Sequence, residues 1–342
     1  MNSYIIISDL HDWDSNIANR VDYVSEIYYV KNKIYSLIEK ELEMGNSPSV
    51  FFLGDIFHRG YKDIDSAINA NNYYVLLSSM CKELASVIGN HELSYKRNNP
   101  FWTLMNNIEA SVSKKLEPKG EINILRVPNI ISDGEVSFYF NHYGENVMKP
   151  TNKVNILLSH NNISTKEIIK MAEDDGREFY KGHTIDFQTT GCLNGYSNVY
   201  LGHQHSIYGT WYYTNNDYKV KIQNLASLGR TNYREVNDNF LERTIPIIRV
   251  NDGKLHEIVD YKFNLPNVSD CLEIRKIEIQ KKNLEVSNEL KYILDYVPKD
   301  DSPLKNLKEI LNDSKYHMLI DSLVSDVLDD EYNRLLGKWL YE

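Results

Sequence analysis

Five short apolar runs in this chain each end at once on an aspartate, an asparagine or a histidine. Residues 4–8 lead into Asp9-Leu10-His11. Val50-Phe51-Phe52-Leu53 leads into Gly54-Asp55, and Ala85-Ser86-Val87-Ile88 into Gly89-Asn90-His91-Glu92. Residues 154–158 lead into Ser159-His160, and Val199-Tyr200-Leu201 into Gly202-His203-Gln204-His205. Short apolar runs bounded by turn residues read as buried strands. In open α/β sheets ligands collect at the carboxyl ends of strands. A chain with five such strand ends is built to bring them together, and imidazole, carboxylate and amide groups are all metal donors.

The intervening segments complete the pattern. Residues 22–44 have helical spacing, with Val24, Ile27, Tyr28, Val30, Ile34, Leu37 and Ile38 in one stripe, stopped by Gly45-Asn46-Ser47-Pro48. This makes a βαβ unit between the first two strands. Further helices are expected at 65–85 and around 101–113, then strands at 122–127, 129–132 and 136–141. Ser164-x-x-Glu167 is a capping-box signature for a helix through about 174, and 175–197 reads as an irregular, substrate-facing loop. Hairpins are expected around Asn215-Asn216-Asp217 and Asn251-Asp252-Gly253. Leu265-Pro266-Asn267 marks a boundary that divides a domain of residues 1–265 from a region of 266–342. That region holds one strand at 272–279 and helices near 284–295, 303–312 and 315–340.

The length of 342 residues allows a large domain plus an appendage. Cys81, Cys192 and Cys271 form no Cys-x-x-Cys pair, which fits a reducing compartment. The N-terminus lacks a basic n-region, and no stretch reaches the roughly 18 apolar residues of a membrane span. The expectation is a cytoplasmic protein of a bacterial or phage-infected cell, with no membrane partner. The formal net charge of −10 argues against broad wrapping of nucleic acid. It leaves phosphate chemistry open, because bound cations reverse the local potential.

Asp-x-His, Gly-Asp, Gly-Asn-His-Glu, a strand-end His and Gly-His-x-His, in that order over roughly residues 4–230, resemble the calcineurin-like metallophosphoesterase superfamily. The resemblance implies an α/β fold, a four-layer α-β-β-α sandwich of two mixed sheets, with a small C-terminal extension. It implies two divalent metal ions, Mn²⁺ first, with Fe, Zn, Mg or Ni as alternatives. Asp9, His11 and His205 would hold one; Asn90, His160 and His203 would hold the other; Asp55 would bridge them. His91 would lie beside the phosphate. Two cations roughly 3.5–4 Å apart clamp a phosphate and supply a hydroxide for in-line attack on phosphorus.

Within the superfamily, His58 after Gly54-Asp55-Ile56-Phe57 is similar to a histidine near the scissile phosphate in SbcD-like DNA nucleases. Ser227-Leu228-Gly229-Arg230 is similar to the Gly-Ser segment that follows their last histidine motif. This implies a DNA exo- or endonuclease, an SbcC-like ATPase partner and a homodimer. Asp12-Trp13 and Glu92 depart from that pattern, and Gly60 echoes the protein phosphatases. A phosphoprotein phosphatase, a nucleotide or cyclic-nucleotide phosphodiesterase, and a non-catalytic scaffold subunit therefore stand as alternatives. Asp9 and Asp55 also suit helix N-caps, Asn90 a tight turn and His58 a solvated surface. His142, His183, His256 and His317 match no block.

Overall fold

The computed structural model describes residues 1–13, 23–60, 64–94, 99–105, 124–164, 170, 184–186, 191–205, 208–215, 218–231 and 241–266. All of them belong to one compact unit, residues 1–16 and 22–267. A second unit, 17–21 and 268–342, lies outside the described residues, and with it the expected strand at 272–279 and the three terminal helices.

Two mixed sheets form the sandwich. In the first, β1 (Asn2–Ile7) runs parallel to β2 (Ser47–Phe52), which runs parallel to β3 (Leu84–Ser86). On its other side β1 pairs antiparallel with β12 (Glu242–Asn251), and β12 with β13 (Lys254–Asn264). Helix α1 (Tyr23–Glu43) carries the chain from β1 to β2, and α2 (Ile64–Met80) from β2 to β3. Parallel neighbours require such crossovers. In the second sheet the order is β10 (Gly209–Asn215), β11 (Tyr218–Asn224), β9 (Asn198–Leu201), β6 (Val154–Ser159), β5 (Val136–Asn141), β4 (Ile130–Asp133). Its three central pairings, β11–β9, β9–β6 and β6–β5, are parallel. A short parallel pair, β7 (Asn162–Ser164) with β8 (Thr184–Asp186), stands apart.

The pleat explains the layering. Tyr4, Ile6, Phe51, Leu53 and Ala85 meet Phe138, Phe140, Ile156, Leu158 and Tyr200 in the core between the sheets. Their neighbours along each strand point outward. Tyr139, Leu157 and Val199 are covered by Ile163, Leu193 and Tyr196 on the far face of the second sheet. Buried on both faces, these strands read as nearly unbroken apolar runs. No helix among the described residues is long and apolar enough to cross a membrane.

Helix α1 ends as its sequence requires. Gly45 adopts φ 76°, with Gly45 N–H bonded to the Leu42 carbonyl and Asn46 N–H to that of Glu41, the Schellman pattern. The second hairpin turns through Asp252 and Gly253, both at positive φ, as a two-residue primed turn needs.

Other expectations change. The α1 stripe is narrower than its spacing implies: Tyr28 is 68% exposed, and Glu26 and Glu41 are buried among the apolar positions. Both carboxylates are paired with arginines distant in sequence, Glu26 with Arg230 and Glu41 with Arg249. Helix α2 stops at Met80, not 85, because Leu84 begins β3. The strand expected at 122–127 is reduced, among the described residues, to a bridge between Arg126 and Ala85. Ser164 closes β7; of the helix expected to follow it only residue 170, which is helical, is described, and the rest of that segment lies outside the described residues. The loop expected at 175–197 contains β8. Only Pro100–Met105 of the helix expected around 101–113 is described, as α4.

Candidate metal centre

The strand ends converge. After β1 and β2 the chain continues as two loops laced together: His11 N–H bonds the Asp55 carbonyl at 3.0 Å, Asp12 N–H the Ile56 carbonyl at 2.7 Å, and His58 N–H the Asp12 carbonyl at 3.1 Å. This lacing carries Asp9, His11, Asp55 and His58 to one end of the sandwich. β6 and β9 deliver His160 and the 202–205 turn from the second sheet. β3 is followed by Asn90 and His91, the first residues of the short helix α3 (Asn90–Ser94).

Four non-glycine residues among those described have positive φ: His11 (49°), Asp55 (47°), His203 (72°) and the hairpin residue Asp252. Three of them are expected ligands. Left-handed backbone costs a non-glycine residue of order 1–2 kcal/mol, and such strain gathers at functional sites. At His203 the turn has a consequence that strand periodicity does not foresee. His203 and His205 part company and join different donor groups.

Those groups are two, and they share a member. Donor atoms of Asp9, His11, Asp55 and His205 lie within 4.8 Å of one another, and so do those of Asp55, His160 and His203. His11 Nε2 and His205 Nε2 are 2.9 Å apart. His205 Nε2 is 3.7 Å from Asp9 Oδ1. His160 Nε2 is 3.3 Å from Asp55 Oδ2 and 3.0 Å from Asn90 Oδ1. His160 Nδ1 lies 2.6 Å from the Leu53 carbonyl oxygen. An N–H there points Nε2 at the donor group, the usual way a ligand imidazole is held. Asp9 is fixed by Ser8 Oγ at 2.6 Å and by the His203 N–H at 2.9 Å.

A third cluster joins His11, His58 and His91. The His91 Nδ1 contacts the His58 carbonyl oxygen, and the His91 N–H donates to Asp55 Oδ1 at 2.9 Å. His91 Nε2 stands 4.0 Å from Asp55 Oδ2, with the side chain 24% exposed. His58 is buried, its ring centroid 5.6 Å from that of His91 and 6.3 Å from Trp13. It is not the solvated histidine of the alternative reading.

The electrostatics fit cations. Burial opposes ionisation of Asp9 and Asp55, yet neighbouring imidazoles, His160 first, hold both carboxyls well below the usual carboxylate range. Among the described residues their ion-pair partners are histidines alone. Burial, with His205 and His91 next to it, holds His11 well below 6.5. Burial takes His203 and His58 to about 3, helped by His160 and His91 respectively. For His160 burial is outweighed by the Asp55 and Asp9 carboxylates, which raise it to about 9. Two buried anions amid mostly neutral imidazoles form a donor set that divalent cations neutralise. The mixed O/N character suits intermediate ions better than Ca²⁺.

All nine expected site residues are thus brought together. The motifs did not foretell three further neighbours. Glu92 binds the backbone of two of the loops. The Tyr143 ring lies 5.3 Å from that of His203. His142 Nδ1 accepts the Ile88 N–H at 3.0 Å, bracing the loop after β3. Only the Glu in Gly-Asn-His-Glu carried a visible signal. The Ser227–Arg230 segment latches onto the site from behind: Ser227 Oγ and Leu228 N–H both donate to the Asp9 carbonyl.

Among solved structures, the fold is similar to a 5'-nucleotidase precursor from Thermus thermophilus (13% identity, 82% of this chain and 59% of that one, TM-score 0.36). It is similar also to a dimetal phosphatase from Danio rerio (11%, 77% and 99%, 0.41). A third is the calcineurin-like phosphoesterase YfkN from Bacillus subtilis (12%, 83% and 98%, 0.40). The chain thus spans 59% of the length of the first of these. Among curated proteins none matches this sequence. The family model for calcineurin-like phosphoesterases matches residues 3–207, more than half of the chain and the stretch that carries every donor described above. With its two-sheet sandwich and the aspartates and histidines clustered at its strand ends, the chain belongs to the calcineurin-like phosphoesterase family.

Proposed function

We propose that this chain is a two-metal phosphodiesterase that cleaves DNA in the manner of SbcD-like nucleases, with Mn²⁺ as its metal. Asp9, His11 and His205 would hold one ion, Asn90, His160 and His203 the other, and Asp55 would serve both. When bound, the cations would supply positive charge for the phosphate oxygens and lower the pKa of an attacking water. The protein's own part is orientation. The His58 carbonyl takes the His91 Nδ1–H, which leaves His91 Nε2 toward the site, where in the imidazolium form its N–H would donate to a phosphate or leaving-group oxygen. The observation that carries the nuclease reading is His58 itself, packed against His11 and His91 at the position where the resembling nucleases place a histidine near the scissile phosphate. An SbcC-like ATPase and a second copy of the chain belong to the same proposal as partners.

One observation favours a second reading. The formal net charge of −10 repels a polyanion, which suits a nucleotide or phosphoprotein substrate better than DNA. Labelled single- and double-stranded DNA incubated with the protein and Mn²⁺ decides between them. Cleavage lost on EDTA treatment and in His91→Ala supports the nuclease. Inert DNA together with turnover of a nucleotide or a phosphomonoester overturns it.

A further inference from the structure

Glu92 belongs to neither donor group, yet its carboxylate is fully buried beside them. Its Oε2 accepts the N–H of Asp55 at 2.9 Å and that of Gly89 at 2.8 Å, while Oε1 accepts the N–H of Ile56 at 3.0 Å. One side chain therefore holds the loop after β2 and the loop after β3. The tie runs both ways, because Asp55 Oδ1 accepts the His91 N–H. The loops are pressed close. A Cβ on Gly89 would lie 2.2 Å from Asp55 Oδ1 and 2.8 Å from Glu92 Oε2, so only glycine allows the contact. Glu92 is held from outside as well, its carbonyl accepting the Trp102 indole N–H at 2.9 Å.

We propose that Glu92 is a positioning residue that fixes the loop of Asp55 against the loop of Asn90, and so sets the spacing of the two metal ions. This rests on the two-metal reading above, since Asp55 and Asn90 matter to spacing only as ligands. The chemistry asks for a carboxylate. Three backbone donors converge on two oxygens, and each carboxyl oxygen has lone pairs to accept them. A glutamine turns its NH₂ against at least one N–H, leaving a buried donor unmet. An aspartate keeps the acceptors but reaches one methylene less far.

The test uses Mn²⁺ alone. Bound ions are counted by mass spectrometry after gel filtration. Affinities are read by calorimetry, and the exchange coupling of neighbouring Mn²⁺ ions by electron paramagnetic resonance. The wild type binds two ions with a coupled spectrum. In Glu92→Gln, one ion binds at least tenfold more weakly and the coupled spectrum gives way to that of isolated Mn²⁺, with circular dichroism unchanged; a change of this size is typical of residues that orient metal ligands. Glu92→Asp recovers part of both. Wild-type affinities and coupling in Glu92→Gln overturn the proposal. If Glu92→Gln fails to fold, Glu92→Asp decides: a weakened second ion supports the proposal, and two ions bound and coupled as in the wild type overturn it. A wild type that binds fewer than two ions overturns the two-metal reading itself, a distinct result.

Discussion

Arg230→Ala removes the partner of a buried carboxylate. Arg230 and Glu26 are both almost wholly inaccessible. The guanidinium reaches Glu26 Oε2 through Nε at 2.9 Å and through Nη2, and Nη2 also donates to the Pro266 carbonyl at 2.7 Å. In the variant Glu26 keeps the backbone N–H of residue 230, at 3.0 Å. Breaking a buried pair from one side costs about 3–5 kcal/mol, because an uncompensated charge stays behind. With a urea slope of about 3 kcal/mol per molar, the midpoint should fall by about 1–1.7 M. The double variant Glu26→Leu/Arg230→Met removes both charges. Beyond the Pro266 carbonyl, which loses its Arg230 donor in both variants, it takes the carboxylate from that backbone N–H, a loss of about 1–3 kcal/mol. Urea titrations of the three proteins, followed by fluorescence and circular dichroism, measure both numbers. A single variant that loses less than about 1 kcal/mol, or a double variant no more stable than the single, refutes the argument.

Two further predictions follow from the site. Gly54→Ala puts a Cβ at φ 95°, 2.7 Å from His160 Nδ1 and 2.9 Å from the Gly89 Cα. Neither neighbour can yield, so backbone strain of about 1–2 kcal/mol adds to overpacking of about 1–3 kcal/mol, read as a lowered denaturation midpoint; wild-type stability contradicts it. In the absence of a cation, the proton on His160, held to about 9 by Asp55 and Asp9, adds stability fully present below the unfolded pKa of 6.5 and lost as pH rises through 9. Mn²⁺ binding at pH 8 should therefore release a proton from this imidazole, and affinity should rise with pH up to about 9. Calorimetry in two buffers of different ionisation enthalpy measures the release, and a value of zero at pH 8 contradicts the assignment.

Much of the site was legible because its signal is local. A strand that ends on a donor looks the same in sequence and in space, and five repetitions placed Asp9, His11, Asp55, Asn90, His91, His160, His203 and His205 at one end of the sheets. The end of α1 and the turn at Asp252-Gly253 were legible for the same reason, since positive φ has a residue signature. What stayed hidden depends on partners far away in the chain. Glu26 and Glu41 lie outside the apolar stripe expected over residues 22–44. Only folding supplies Arg230 and Arg249, some two hundred residues on. The end of α2 was misplaced because Cys81-Lys82-Glu83 carries no stop signal; pairing of Leu84 with Val50 ends the helix. Glu92 appeared as a departure from one family pattern, and its three backbone partners exist only once two loops meet.

The most direct test of the account is hydrolysis of a phosphodiester in the presence of Mn²⁺ by the wild type and by Asp55→Asn, with bound metal counted in both. Asp55 alone is shared by the two donor groups. The account predicts two ions and turnover in the wild type, and in the variant a folded protein with a lost ion and turnover reduced by at least about a thousandfold, some 4 kcal/mol of transition-state stabilisation. Equal turnover in both proteins, with or without the metal, would contradict it.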